Sequence, residues 1–141
     1  MRLIRIVGDD DDARADAATA LVEALGRRGL AVSVVSRTGT ALALDRPGKD
    51  SHAHRMAGAR DVAVISAARV AVIHEAPPGA AEPTLGDLLS RMQPADIVLA
   101  LGFDEAQGDA VRLDGGYAEF AGVRFPLSEP DKLAEHLAPA P

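Results

Sequence analysis

The residue types best suited to chemistry are concentrated in one short stretch, Asp45-Arg46-Pro47-Gly48-Lys49-Asp50-Ser51, with Arg55 shortly after it. Pro47-Gly48 has the composition of a turn, and Asp50 or Ser51 that of the cap of a short helix running through Ala57. Arg46, Lys49 and Arg55 then surround a helix start, where backbone N–H groups and the helix dipole favour an anion. A turn followed by an N-cap accounts for Pro47, Gly48 and Asp50 but leaves those three cations unexplained, so a binding surface and a simple turn both stand. Arg55 lies about one helical turn after Asp50, and an ion pair between them would be worth only a few tenths of a kcal/mol.

The run Asp9 to Asp12 admits two readings. Clustered carboxylates suit a hard cation such as Mg²⁺ or Ca²⁺, but consecutive side chains diverge, which favours a solvated run capping a helix. His52 and His54 stand at i and i+2 on the expected helix and point to different sides, with His74 and His136 elsewhere, so no metal site is assigned. No Ser, His and Asp arrangement has the context of a nucleophile elbow. Glu75 and Asp104 would make an acid–base pair only if the fold joined their strand ends; surface residues are the default, and no catalytic residue is assigned.

The elements that must position these residues follow from hydrophobic periodicity. Leu3 to Val7 is a short apolar strand, and Gly8 with the aspartates makes the turn after it. The helix that follows extends to about Arg28, with Ala17, Ala18, Leu21, Val22 and Leu25 on one face, Asp10 or Asp11 as N-cap and Gly29 as stop. Leu30 to Val35 is a second buried strand, completing a parallel, right-handed βαβ unit. Arg37 to Arg46 is irregular and has room for a short hairpin. Asp61 to Ser66 and Val70 to His74 are strands joined closely enough for a hairpin, which would make the sheet mixed. Thr84 caps a helix to about Met92, and Ile97 to Leu101 is a fully apolar strand. Weaker strands are expected at Ala110 to Leu113 and Tyr117 to Phe120 around the turn Asp114-Gly115-Gly116, then a closing helix at Pro130 to Leu137. The whole reads as one α/β domain over residues 1–141: three layers, with a mostly parallel, mixed central sheet flanked by helices.

Composition narrows the partners. A net charge of −6 repels nucleic acid and anionic membrane surfaces alike. There is no cysteine, which removes disulfides, thiolate metal sites and Cys nucleophiles. Aromatic residues are only 3%, so the core must be built from Ala, Val, Leu and Ile. No apolar run approaches the ~20 residues of a membrane span, and the first residues look like a strand rather than a signal peptide. A cytoplasmic protein is the expectation, and the Ala, Arg and Gly enrichment suggests a bacterial one.

The D-x-P-G-K-D-S turn, followed by Arg55 and Ala57-Gly58-Ala59, resembles the MobB family of GTP-binding proteins of molybdopterin-guanine dinucleotide biosynthesis. Val70 to Glu75, Ser90-Arg91-Met92 and Gly102-Phe103 are similar to that family's later motifs, and the order persists to about Leu113. The resemblance implies a P-loop-NTPase-like scaffold and a dimer formed by pairing sheets, for which Asp61 to His74 would serve.

It also shows what this chain lacks. The family's Gly-rich loop cradles phosphate with backbone N–H groups, its Lys reaches the terminal phosphates and its hydroxyl holds Mg²⁺. Behind Gly8, this chain places Asp11, Asp12, Ala13, Arg14 and Ala15 there. The family's His-rich segment is Arg37-Thr38-Gly39-Thr40, the acid closing its central strand is Leu101, and the Lys often following Gly-Phe is Asp104. The resemblance therefore implies no bound GTP, ATP or Mg²⁺. What it leaves is a non-hydrolysing accessory protein that binds a protein partner or a pterin-type ligand through Asp45 to Arg55 in molybdenum cofactor synthesis or delivery. Alternatives are a subunit or small transferase-like enzyme of another pterin-dependent route, such as methanopterin-linked one-carbon metabolism, with Lys49, Asp50, Arg55 and Glu75 in its site, or a structural dimeric adaptor.

Overall fold

Ile97–Leu101 (β5) is apolar and buried at every position, which requires cover on both faces and a neighbour on both edges. Arg2–Val7 (β1) runs parallel to it on one side with Ile4 opposite Leu99, and Val32–Ser36 (β2) runs parallel on the other with Val34 opposite Leu99. Ala110–Asp114 (β6) adds to β1 in parallel, and Tyr117–Phe120 (β7) and Val123–Pro126 (β8) continue the sheet antiparallel. The result is a mixed, mostly parallel sheet ordered β2-β5-β1-β6-β7-β8. The computed structural model of the chain describes residues 1–37 and 50–139, with Asp50 and Ser51 described by backbone alone.

These described residues gather into two compact units, residues 1–37 with 93–139 and residues 50–92. In the first, Asp11–Arg27 (α1) buries Ala17, Ala18, Leu21, Ala24 and Leu25, the expected face except that Ala24 is buried and Val22 only partly so. Pro130–Leu137 (α4) buries Leu133, Ala134 and Leu137 in the same core, with Ile4, Ile6, Leu99, Val111, Phe120 and Phe125. Gly29 closes α1 at φ +80°, the left-handed conformation that the residue after a helix often takes.

The second unit holds Asp50–Met56 (α2), the antiparallel hairpin Asp61–Ile65 (β3) with Val70–His74 (β4), and Leu85–Leu89 (α3). Thr84 caps α3 in a capping box with Asp87, each side chain accepting from the other's backbone N–H. The helix stops at Leu89 rather than near Met92, because Ser90, Arg91 and Met92 turn back on Gly86, Leu88 and Leu89.

Two expectations change. The β3–β4 hairpin is a separate two-stranded sheet, so the mixed character of the main sheet comes from β7 and β8 instead. Strand β8 was not expected; it is four residues long and ends in Pro126, and a proline without an N–H is tolerated there because β8 is an edge. The hairpin expected between Arg37 and Arg46 lies outside the described residues beyond Arg37. Among those described, no helix is long and apolar enough to cross a membrane.

Gly102, directly after β5, has φ +84°, and a Cβ there would stand 2.6 Å from the backbone oxygen of Arg37. Gly102→Ala therefore combines a disfavoured backbone with a clash that no side-chain rotation relieves. It is expected to lower unfolding free energy by about 1–3 kcal/mol, read as a shifted urea midpoint; an unchanged midpoint would contradict this.

Candidate functional site

The turn after β1 is short. β1 ends at Val7 and α1 begins at Asp11, leaving only Gly8, Asp9 and Asp10 between them. Asp10 is the N-cap, in extended conformation at φ −101° and ψ 116°, and its carboxylate accepts from the backbone N–H of Asp12 (2.9 Å) and Ala13 (3.1 Å). The sequence left the cap between Asp10 and Asp11; the geometry assigns it to Asp10. Arg14 donates to the Gly8 carbonyl and pairs with Asp11, so its cation is bound within the turn itself. Asp12, Ala13 and Ala15 are already helical. Among the described residues, no group of three or more His, Asp or Glu is arranged to hold a metal ion.

The strand-end position expected to carry an acid is likewise part of the fold's interior. Leu101 is buried in the core cluster, in register with Ile6 on β1 and Ser36 on β2. The segment after it is held by two arginines. Arg5, buried at 7% exposure, donates to the carbonyls of Asp104 (2.9 Å) and Gly108 (2.8 Å). Arg37 lies over the Phe103 ring at 4.9 Å, donates to the Gly102 carbonyl (2.8 Å) and meets Glu105 at 2.6 Å. Glu105 is held below the usual carboxylate range, first by its own backbone N–H and then by Arg37. The sequence offered no signal for this clamp, because its partners are 65 or more residues apart in the chain.

In the second unit the structure joins two residues that the sequence singled out separately. Arg55 on α2 reaches Glu75, just past β4, with Nη1 to Oε1 at 3.0 Å. Gly58 follows at φ +104° and donates to the Arg55 carbonyl, while Ala59 donates to that of His54. The Arg55 and Ala57-Gly58-Ala59 pattern is thus a helix stop beside a latch between helix and hairpin. An open cleft of about 380 Å³ is lined here by Arg55, Gly58, Ala59, Arg60, Glu75 and Pro77. It is shallow beside the enclosed pockets that hold small substrates. His74 and Asp61 face each other across the hairpin at 2.7 Å, and His136 sits on α4 with its Nδ1 3.0 Å from the Lys132 carbonyl. Asp45, Arg46, Pro47, Gly48 and Lys49 lie outside the described residues, as do the side chains of Asp50 and Ser51.

Comparison with known proteins agrees with this architecture. The model of the molybdopterin guanine dinucleotide synthesis protein B family matches residues 3–114. Among solved structures, the chain is similar to a molybdopterin-guanine biosynthesis protein B at 27% identity and TM-score 0.59, with 78% of this chain and 66% of that one covered. It is similar to a MobB homologue from Bacillus stearothermophilus at 21% identity and TM-score 0.58, with 80% and 63% covered. For Bacillus subtilis MobB the values are 20% identity and TM-score 0.63, with 82% and 69% covered. The chain thus spans about two thirds of the length of these proteins or less in the first two cases. No curated protein matches the chain at a significant level. With four fifths of its length matched by the family model, and with the same fold in solved members, the chain belongs to the MobB family.

Proposed function

We propose that this chain is a non-hydrolysing accessory protein of molybdenum cofactor biosynthesis or delivery, which binds a protein partner or a pterin-type ligand through the Asp45 to Arg55 region. The observation that supports the loss of hydrolysis is the Asp10 carboxylate bonded to the N–H groups of Asp12 and Ala13, the donors that open α1. A phosphate brought there meets Asp9, Asp10, Asp11 and Asp12. Each like-charge pair about 4 Å apart costs about 4 kcal/mol at the effective dielectric of a protein surface, against a dipole attraction of about 1 kcal/mol.

Calorimetry with GTP and ATP in the presence of Mg²⁺ is expected to give no binding heat, and a phosphate-release assay no turnover. Micromolar binding accompanied by turnover would overturn this reading.

Support for the binding region comes from the family pattern that survives there and from the Arg55–Glu75 latch, which ties α2 to the hairpin. Lys49→Ala and Arg55→Gln are expected to weaken binding of a phosphorylated pterin about tenfold, the loss of one charge-assisted contact. Titrations that leave both variants equal to the parent would remove the ligand from this region.

A homodimer is part of the same proposal. One face of the hairpin carries Ile65, Val70 and Val72, at 76, 66 and 51% exposure, with Ile65 opposite Val70 and Val72 opposite Ala63 in register. A continuous apolar stripe on a two-stranded sheet needs a partner. Light scattering is expected to give a dimer mass for the parent and a monomer mass for Val72→Lys; a parent that is monomeric at micromolar concentration would exclude it.

A further inference from the structure

A second surface, remote in sequence from the Asp45 to Arg55 region, carries an independent signal. In the first unit, α1 and α4 leave between them a cavity of about 260 Å³. Ala13, Ala17 and Ala20 of α1 form one wall, Leu127 and Leu133 the other, and Val111 of β6 the floor. The alanines make room for it: side chains this short on the cavity-lining face of α1 leave space beside the contact between the two helices. The second wall belongs to residues beyond 114, outside the segment matched by the family model.

The rim has one sign of charge. Asp16 lines the cavity, Asp12 stands one turn before it on α1, and Asp9 lies in the turn that precedes the helix. Asp9, Asp12 and Asp16 form no ion pair among the described residues. The nearby cations are engaged elsewhere: Arg14 with Asp11, Lys132 with Glu129, and Arg27 with Asp131. Like charges at i and i+4 on a helix destabilise it by a few tenths of a kcal/mol. Asp16 lies beyond the first turn, where the helix dipole no longer offsets that cost. An apolar groove edged by uncompensated carboxylates is complementary to apolar side chains carried between lysines or arginines. A second copy of this chain does not meet that requirement, since it brings the same net charge of −6.

We infer that the groove between α1 and α4 docks a basic amphipathic helix of a partner protein, with an apolar side chain in the cavity and lysine or arginine over Asp12 and Asp16. This is the helix-in-groove mode, in which the apolar face supplies affinity and rim charges supply on-rate and orientation.

The test is fluorescence anisotropy on the full chain with a labelled peptide of about 18 residues, leucine on one helical face and lysine on the other. Two control peptides replace leucine by serine or lysine by glutamate. The leucine–lysine peptide is expected to bind, and both controls at least about tenfold more weakly. The double variant Asp12→Lys/Asp16→Lys and the groove-filling Ala20→Trp are each expected to weaken it by a similar factor. Amide shifts on binding are expected at Ala17, Ala20, Leu127 and Leu133. If Ala20→Trp does not fold, the charge variant alone decides, since Asp12 and Asp16 are exposed. Five results would overturn the inference: no binding by the peptide, equal binding by the serine peptide, affinity unmoved by Asp12→Lys/Asp16→Lys, shifts confined to residues 61–74, or hexylammonium perturbing the groove residues when the peptide does not. So would self-association of the chain that Asp12→Lys/Asp16→Lys abolishes.

Discussion

The carboxylate of Asp10 satisfies two of the backbone donors that every helix leaves unpaired at its start, and much of the surrounding structure follows from that. Because the cap is Asp10, α1 begins at Asp11 and the turn from β1 has only three residues, Gly8 to Asp10. Arg14 then falls within reach of the Gly8 carbonyl and of Asp11, closing the turn on itself. A phosphate loop needs the opposite arrangement, with donors open and backbone extended around the ligand. A helix start can serve an internal anion or an external one, and here the internal one is in place.

The same trade is made at the far end of the parallel strands. Leu101 ends β5 inside the core, where an ionised carboxylate would have to be paired to remain. Beyond it, Gly102, Phe103 and Glu105 are held by Arg37, and Asp104 and Gly108 by Arg5. The segment after β5 is thus held by side chains of β1 and of Arg37, at the end of β2. In the second unit the motif residues also have structural work: Gly58 terminates α2 and Arg55 latches it to Glu75.

Legibility in the sequence followed the strength of local signals. Strand β5 was unambiguous because five consecutive buried apolar residues permit few other readings. Helix α1 showed a clear 3.6-residue period, and α4 began with the proline that suits a first helical turn. The β3–β4 pairing was visible from its short connection, but its separation from the main sheet was not, because strand periodicity specifies which face is apolar and not which sheet is joined. Strand β8 escaped notice since four residues ending in proline give almost no periodic signal. At the site, the Asp run was readable as a helix-capping run, whereas the bonds of Arg14 to Gly8 and Asp11 come from the structure. The contacts of Arg5 and of Arg37 with the segment after β5 depend on tertiary placement and had no local trace.

The turn after β1 differs from a phosphate loop in backbone geometry as much as in side chains. In a phosphate loop the residues before the Lys and hydroxyl positions wrap the ligand with successive N–H groups. Here Asp11, Asp12 and Ala13 already have helical conformation, and the N–H groups of Asp12, Ala13 and Arg14 are bonded to Asp10. Glycine at position 13, lysine at 14 and threonine at 15 would supply a phosphate loop's chemical groups on a helical backbone, because the Asp10 cap would still start the helix at Asp11. Making a phosphate cradle here would require removing the cap and unwinding the first turn of α1 together, and each change alone costs stability without creating one. Several bonds fix the turn after β1 at once, so no single substitution there frees its donors.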